Sequence, residues 1–141
     1  MVAEKFQAMV LLGMGNSRMK DFFDLWILQR DFAFDGEPLA EAIRQTFERR
    51  RTQLPATAPL ALTAIFGQDA AKRTQWRAFL SKSKLEAPEL DTVVAALAAF
   101  LLPVVEALLD RGTAPSAWPA GGPWMLSRLG GPSGPARAAV V

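Results

Sequence analysis

The run from Glu89 to about Arg111 limits what this chain can become more than any other. Leu90, Val93, Val94, Leu97, Phe100, Leu101, Val104 and Leu108 recur there at intervals of three and four. That is the helical period, and in the middle of the run the helix is apolar on nearly every side. Such a helix must be covered by other elements, so it is expected at the centre of the fold. Pro88 suits its first turn and Gly112 its end, while Pro103 is expected to kink it or split it in two. The longest apolar stretch, Val93 to Val105, reads as too short to span a bilayer, with Pro103 interrupting it.

The candidate covers are also helical. No strand pattern exceeds a few residues, so the chain reads as all-α, a small bundle of about five helices. Met1 to Leu12 forms one short helix, broken by Gly13 and Gly15. Asn16 to Arg30 forms the next, with Ser17 or Asn16 as its cap. Phe32 and Phe34 alternate like a short extended piece pinned to the core, and Asp35-Gly36 turns the chain. Pro38 then opens a helix to about Arg51, whose Leu39, Ile43 and Phe47 form a stripe with Ala42 beside them. A Pro-Ala-Thr linker leads to a turn or two of helix at Leu60 to Phe66. Gln68 or Asp69 restarts a helix through Ser81, with Trp76, Phe79 and Leu80 inward and Lys72, Arg73 and Arg77 outward. The helical domain is placed at 1–111. Residues 112–141 hold five of the ten prolines, six of the ten glycines and no acid. That composition predicts an irregular, partly disordered tail, in which Trp118 and Trp124 are the residues able to dock on the helices.

Composition narrows the chemistry. The 141 residues include no cysteine, histidine or tyrosine. Thiolate chemistry and imidazole bases are thereby excluded, leaving carboxylates, lysine, arginine and hydroxyls. A formal net charge of +2 is too mild to argue for nucleic acid by itself. The start of the chain does not read as a signal peptide, and a cytoplasmic protein is the expectation.

Within those limits, the second helix stands out. At 100° per residue, Met19, Phe22, Phe23, Trp26 and Ile27 share one arc, while Lys20, Asp21 and Asp24 fall on the other. Two carboxylates are therefore expected to look outward, one turn apart. Helix physics alone reads them first as solvated acids near a helix N-terminus, with functional groups as the alternative. Lys5, embedded among Val2, Ala8, Met9 and Leu12, either snorkels or serves as a partner for phosphate or carboxylate. Folding of the first two helices into a hairpin would carry Lys5 toward Asp21 and Asp24. Arg49-Arg50-Arg51 reads as a cationic helix end or as a contact for a polyanion such as tRNA.

These residues resemble a known family. Val-Ala-Glu-Lys-Phe-Gln-Ala-Met at 2–9 and Asn-Ser-Arg-Met-Lys-Asp-Phe-Phe-Asp-Leu-Trp at 16–26 are similar to the last conserved motif of the nucleotidyl transferase AbiEii/AbiGii toxins. The likeness continues through Phe34-Asp35-Gly36, through 42–50 and 75–80, and into the closing Trp118 to Trp124 segment. It implies catalytic roles for Lys5, Asp21 and Asp24, with Lys5 also meeting nucleotide phosphates. It further implies Mg2+ and an NTP, and transfer of a nucleotide to an acceptor such as tRNA in a toxin–antitoxin or phage abortive-infection setting. Family members carry a core with a Gly-Ser loop and strand carboxylates before this motif, and no such pattern occurs here. The chain therefore reads as the C-terminal part of such a toxin, inactive alone. The expected partners are that core, a cognate antitoxin, or a second copy held through Val2, Phe6, Val10 and Leu11 of the apolar first helix. The other reading is a non-catalytic helical module that binds an antitoxin or partner subunit.

Overall fold

The computed structural model describes residues 1–15, 17–110 and 113–125. Among them are six α-helices: α1 Val2–Leu12, α2 Met19–Asp31, α3 Gly36–Arg49, α4 Ala64–Gly67, α5 Ala70–Ser83 and α6 Leu90–Asp110. Two-residue strands, β1 Phe34–Asp35 and β2 Ala117–Trp118, pair antiparallel with Phe34 opposite Trp118. The fold is all-α apart from that pair.

Helix α6 is the axis. Leu90, Val93, Leu97, Phe100, Leu101 and Val104 are fully buried, against α2, α3, α4 and α5. Pro103 neither splits the helix nor ends it. The carbonyl it leaves without a donor belongs to Ala99, an exposed residue, so water can satisfy it. With both halves joined, α6 is 21 residues long, and an 18-residue stretch of it has a mean hydropathy of 2.3. By length and composition it is thus long enough to cross a membrane, and the argument from a short, Pro103-broken run does not apply. In this bundle it is the core helix.

Aromatic contacts join the covers to one another and to α6. Phe6 of α1 meets Phe47 of α3 at 5.5 Å between ring centroids, and Phe22 of α2 stacks on Phe66 of α4 at 5.1 Å. Trp76 of α5 is fully buried, and its indole donates to the Pro88 carbonyl at 3.0 Å. Asp69 caps α5 by accepting from the Lys72 amide. Gly67 lets α4 approach α6 closely, since a Cβ there would lie 2.9 Å from the Asp91 Cα.

Several details differ from the sequence reading. Helix α2 starts after Arg18, with no side-chain cap; Ser17 contributes only its carbonyl, and Asn16 lies outside the described residues. On α3, Ala40 rather than Ala42 is buried beside the stripe. Phe34 packs on Phe100, but Phe32 is exposed. Lys72 is buried with its ammonium over the Phe66 ring, so α5 does not hold all its cations outward. Most of the apolar surface of α1 is not left over for self-association. Val2 and Phe6 are buried and Val10 partly so, because the α3 stripe covers them; Leu11 and Leu12 remain exposed.

The segment 113–125 docks as a strap. Trp118 is buried and its indole donates to the Gln29 carbonyl at 2.8 Å, while the Trp124 indole donates to the Phe100 carbonyl at 2.7 Å. Both rings pack on Phe100. Gly36 is needed here: a Cβ would overlap the Pro115 carbonyl oxygen, and the Gly36 amide donates to Ser116. Met125 pairs with Ala117 and Ser116 through its backbone, while the remainder of the expected tail, 126–141, lies outside the described residues. Trp118→Ala should therefore cost about 3–5 kcal/mol, as large core truncations do. Denaturant unfolding monitored by circular dichroism measures it, and a loss under ~1 kcal/mol would show that the strap is dispensable.

Candidate functional site

Lys5, Asp21 and Asp24 do come together. The hairpin of α1 and α2 turns at Gly13, which adopts φ 53°. Lys5 on the second turn of α1 then points at the first two turns of α2. Its Nζ lies 2.9 Å from Asp21 Oδ1 and 3.1 Å from Asp24 Oδ2. The expectation that both carboxylates look outward into water is corrected here. Asp21 is only 5% exposed and Asp24 is half-buried, because α1 lies across the arc that an isolated α2 would present to solvent.

Two further cations complete the cluster. Lys20 Nζ sits 2.7 Å from Asp24 Oδ2, and Arg18 Nε 2.9 Å from Asp21 Oδ2. Neither was singled out from the sequence, although the signal was there: opposite charges three and four residues apart on one helix. The Arg18 contact has ion-pair distance without hydrogen-bond direction. Among the described residues Asp21 Oδ2 is buried with no hydrogen-bond donor.

The electrostatics set what each group can do. Burial works against the Lys5 ammonium, but hydrogen bonds and charge from Asp21 and Asp24 outweigh it and raise its pKa. Lys5 is thus a fixed cation and not a base. Burial likewise opposes ionisation of Asp24, yet the bonds from Lys20 and Lys5 win and hold its carboxyl below the usual range. Asp24 is therefore an anchored anion with little appetite for a proton.

Arg49, Arg50 and Arg51 do not act as one patch. The Arg49 guanidinium lies 3.8 Å from Glu4, Arg50 donates to Gln7 at 3.1 Å, and Arg51 takes a left-handed turn with φ 53°. Arg50 nevertheless borders the same crevice as Lys5 and Arg18.

The helical bundle thus holds a lysine between two aspartates, the three residues that the motif resemblance singled out. The chain belongs to the nucleotidyl transferase AbiEii toxin family of type IV toxin–antitoxin systems, whose sequence profile matches residues 1–110. No curated protein and no solved structure matches the chain. Membership of a toxin–antitoxin system implies an antitoxin as partner.

The ion cluster predicts a pH signature. Asp24 has a depressed folded pKa, so its contribution is present above the unfolded value of about 3.9 and is lost as pH falls through the folded one. Lys5 has a raised pKa, so its contribution is present below about 10.4 and is lost as pH rises through its folded value. Asp24→Asn should lower stability by about 1–2 kcal/mol at neutral pH, the lower part of the range for an orphaned buried partner, because the site is partly wet. The gap to the unmodified protein should close below about pH 4. Thermal midpoints measured across pH test this, and a gap that stayed constant in acid would show that Asp24 acts through shape and not charge.

Proposed function

We propose that this domain supplies the phosphate-facing lysine and the acidic helix of a nucleotidyl transfer site. The reaction moves a nucleoside monophosphate from an NTP to an acceptor hydroxyl, such as the end of a tRNA, in the cytoplasm. The observation that carries the reading is the Lys5 ammonium. It is held charged between Asp21 and Asp24 from a different helix, yet remains partly exposed beside Arg18 and Arg50. Such a cation, fixed before substrate arrives, favours charge that develops on departing phosphate oxygens. In the transfer, the acceptor oxygen forms a bond to the α-phosphorus and the bond to the bridging α,β oxygen breaks. Pyrophosphate departs, and the hydroxyl proton passes to a carboxylate. Asp21 and Asp24 are the carboxylates at hand for that last role, each paired with two cations.

The implied Mg2+ does not fit these carboxylates. Lys5, Arg18 and Lys20 already neutralise Asp21 and Asp24, and no group of three or more acidic side chains converges among the described residues. A hard divalent cation takes several unencumbered oxygen ligands. Any metal and the NTP would be held by a core of the family's kind, outside the described helices. The second reading, a helical module that binds an antitoxin or partner subunit without catalysing, draws on the same neutralisation. A closed ion cluster between α1 and α2 also serves simply to lock the hairpin.

Turnover and stability separate the two. With a family nucleotidyltransferase core supplied in fusion or in trans, labelled NTP, magnesium and total tRNA should give labelled product. Lys5→Met and Asp21→Asn should each reduce it at least about tenfold, as loss of one preorganised charge does. Rates compared at temperatures well below each variant's thermal midpoint remove the stability effect. Unchanged turnover in both variants would leave the cluster as a structural lock and favour the interaction module.

A further inference from the structure

The crevice beside Lys5, of about 430 Å³, holds one cation that the ion cluster does not use. Lys5 and Arg18 are paired with aspartates of α2, while Glu4 pairs with the N-terminal ammonium and lies near Arg49. Arg50 has a neutral partner instead. Its Nη1 donates to Gln7 Oε1 at 3.1 Å, and it makes no ion pair among the described residues.

Gln7 is buried in α1, and both ends of its amide are spent on the end of α3. Its Nε2 donates to the Thr52 hydroxyl at 2.9 Å, and that hydroxyl donates to the Arg50 carbonyl at 3.2 Å. The chain turns there through Arg51, whose left-handed φ of 53° lets the Thr52 amide return to the Phe47 carbonyl at 2.9 Å. A buried amide is costly unless its donors and acceptor are satisfied. What this one adds is direction: an exposed guanidinium is ordered at the crevice before any ligand arrives. The floor beside it is a helix face with no cover. Met1, Lys5, Ala8 and Leu12 recur at intervals of four, three and four along α1, and Met1 and Leu12 are exposed. Leu11, also exposed, widens the apolar end. Ala8 in the middle is small, so a second helix can come close.

An ordered guanidinium without a counter-ion, beside an apolar helical stripe, matches a carboxylate carried on an amphipathic helix. We propose that the groove along α1 binds an acidic amphipathic helix of a partner protein. Its apolar face lies on Ala8 and Leu12, and one of its Glu or Asp side chains pairs with Arg50. A guanidinium forks onto a carboxylate with two parallel hydrogen bonds, and Arg50 keeps Nη2 and Nε for that purpose among the described residues. Charge sets the partner, since a basic helix would meet Arg50 with like charge. Asp21, Asp24 and the cations that neutralise them take no part, so the binding stands apart from the nucleotidyl-transfer reading.

The test is selection of a displayed library of random peptides, each of about 16 residues or some four helical turns, on the immobilised whole chain. Enriched sequences should carry Glu or Asp together with Leu, Ile or Met at intervals of three and four. An enriched peptide, synthesised with a label and measured by fluorescence anisotropy, should bind the Arg50→Gln chain about tenfold more weakly, as loss of one charge-assisted pair does. The same peptide with Gln in place of its acids should lose at least about tenfold on the unmodified chain, a result that no change in the protein's own fold can produce. Leu12→Ser should weaken binding about fivefold and leave its salt dependence intact, because only apolar contact is removed. Enrichment without acidic residues would overturn the proposal. So would unaltered affinity in Arg50→Gln, or displacement of the peptide by inorganic pyrophosphate at equal concentration, which would give Arg50 to a small anion.

Discussion

The whole molecule depends on covering α6. Its middle is apolar on more sides than one neighbour can bury, so α2, α3, α4 and α5 surround it and the strap closes the remaining side with Trp118 and Trp124. Phe100 is the point where this is clearest. Phe34 from β1, Trp118 from β2 and Trp124 all lie within 6 Å of its ring centroid. Burial of that much aromatic surface is the dominant favourable term, and the indole hydrogen bonds to Gln29 and Phe100 keep the polar edges satisfied. The strap therefore belongs to the core, although its proline and glycine content suits no regular element.

The ion cluster is a consequence of that packing. Helix α2 spends Phe22 and Leu25 on the core, and α1 spends Phe6 and Met9. Once those faces are fixed, Lys5 has one place to go, the arc of α2 that carries Asp21 and Asp24. A lysine and two aspartates in partly dry surroundings are costly unless they meet, and here they meet at hydrogen-bond distance. The result is a cation that cannot lose its proton at neutral pH and an Asp24 that cannot easily gain one. Of the three, Asp21 alone combines burial with an oxygen that has no hydrogen-bond donor among the described residues, though Arg18 lies at ion-pair distance. Each aspartate faces two cations, and the two differ in burial and in hydrogen-bond geometry.

Family membership and geometry carry different weights. The profile match over residues 1–110 establishes descent from nucleotidyl transferase toxins. What the helices contribute is electrostatic: Lys5, Arg18 and Lys20 are fixed around Asp21 and Asp24, and no group of three or more acidic side chains converges among the described residues. On the proposed reading, that charge serves to position phosphates.

The sequence by itself determined the helices and the central place of α6, because the three-and-four spacing of Leu90 to Leu108 has one stable solution in water. It also marked Lys5, Asp21 and Asp24 as a set, through motif resemblance and through the glycines that fold α1 back on α2. Tertiary structure decided what helical period cannot express. A helix wheel placed Asp21 and Asp24 toward solvent, and only the position of α1 shows that arc to be covered. The same holds for Lys72, drawn inward over Phe66, and for Val2 and Phe6, buried by α3. Local pattern states which side of a helix is polar. Whether that side meets water, a counter-ion or a neighbouring helix depends on contacts between residues far apart in the chain, and those are settled only when the chain has folded.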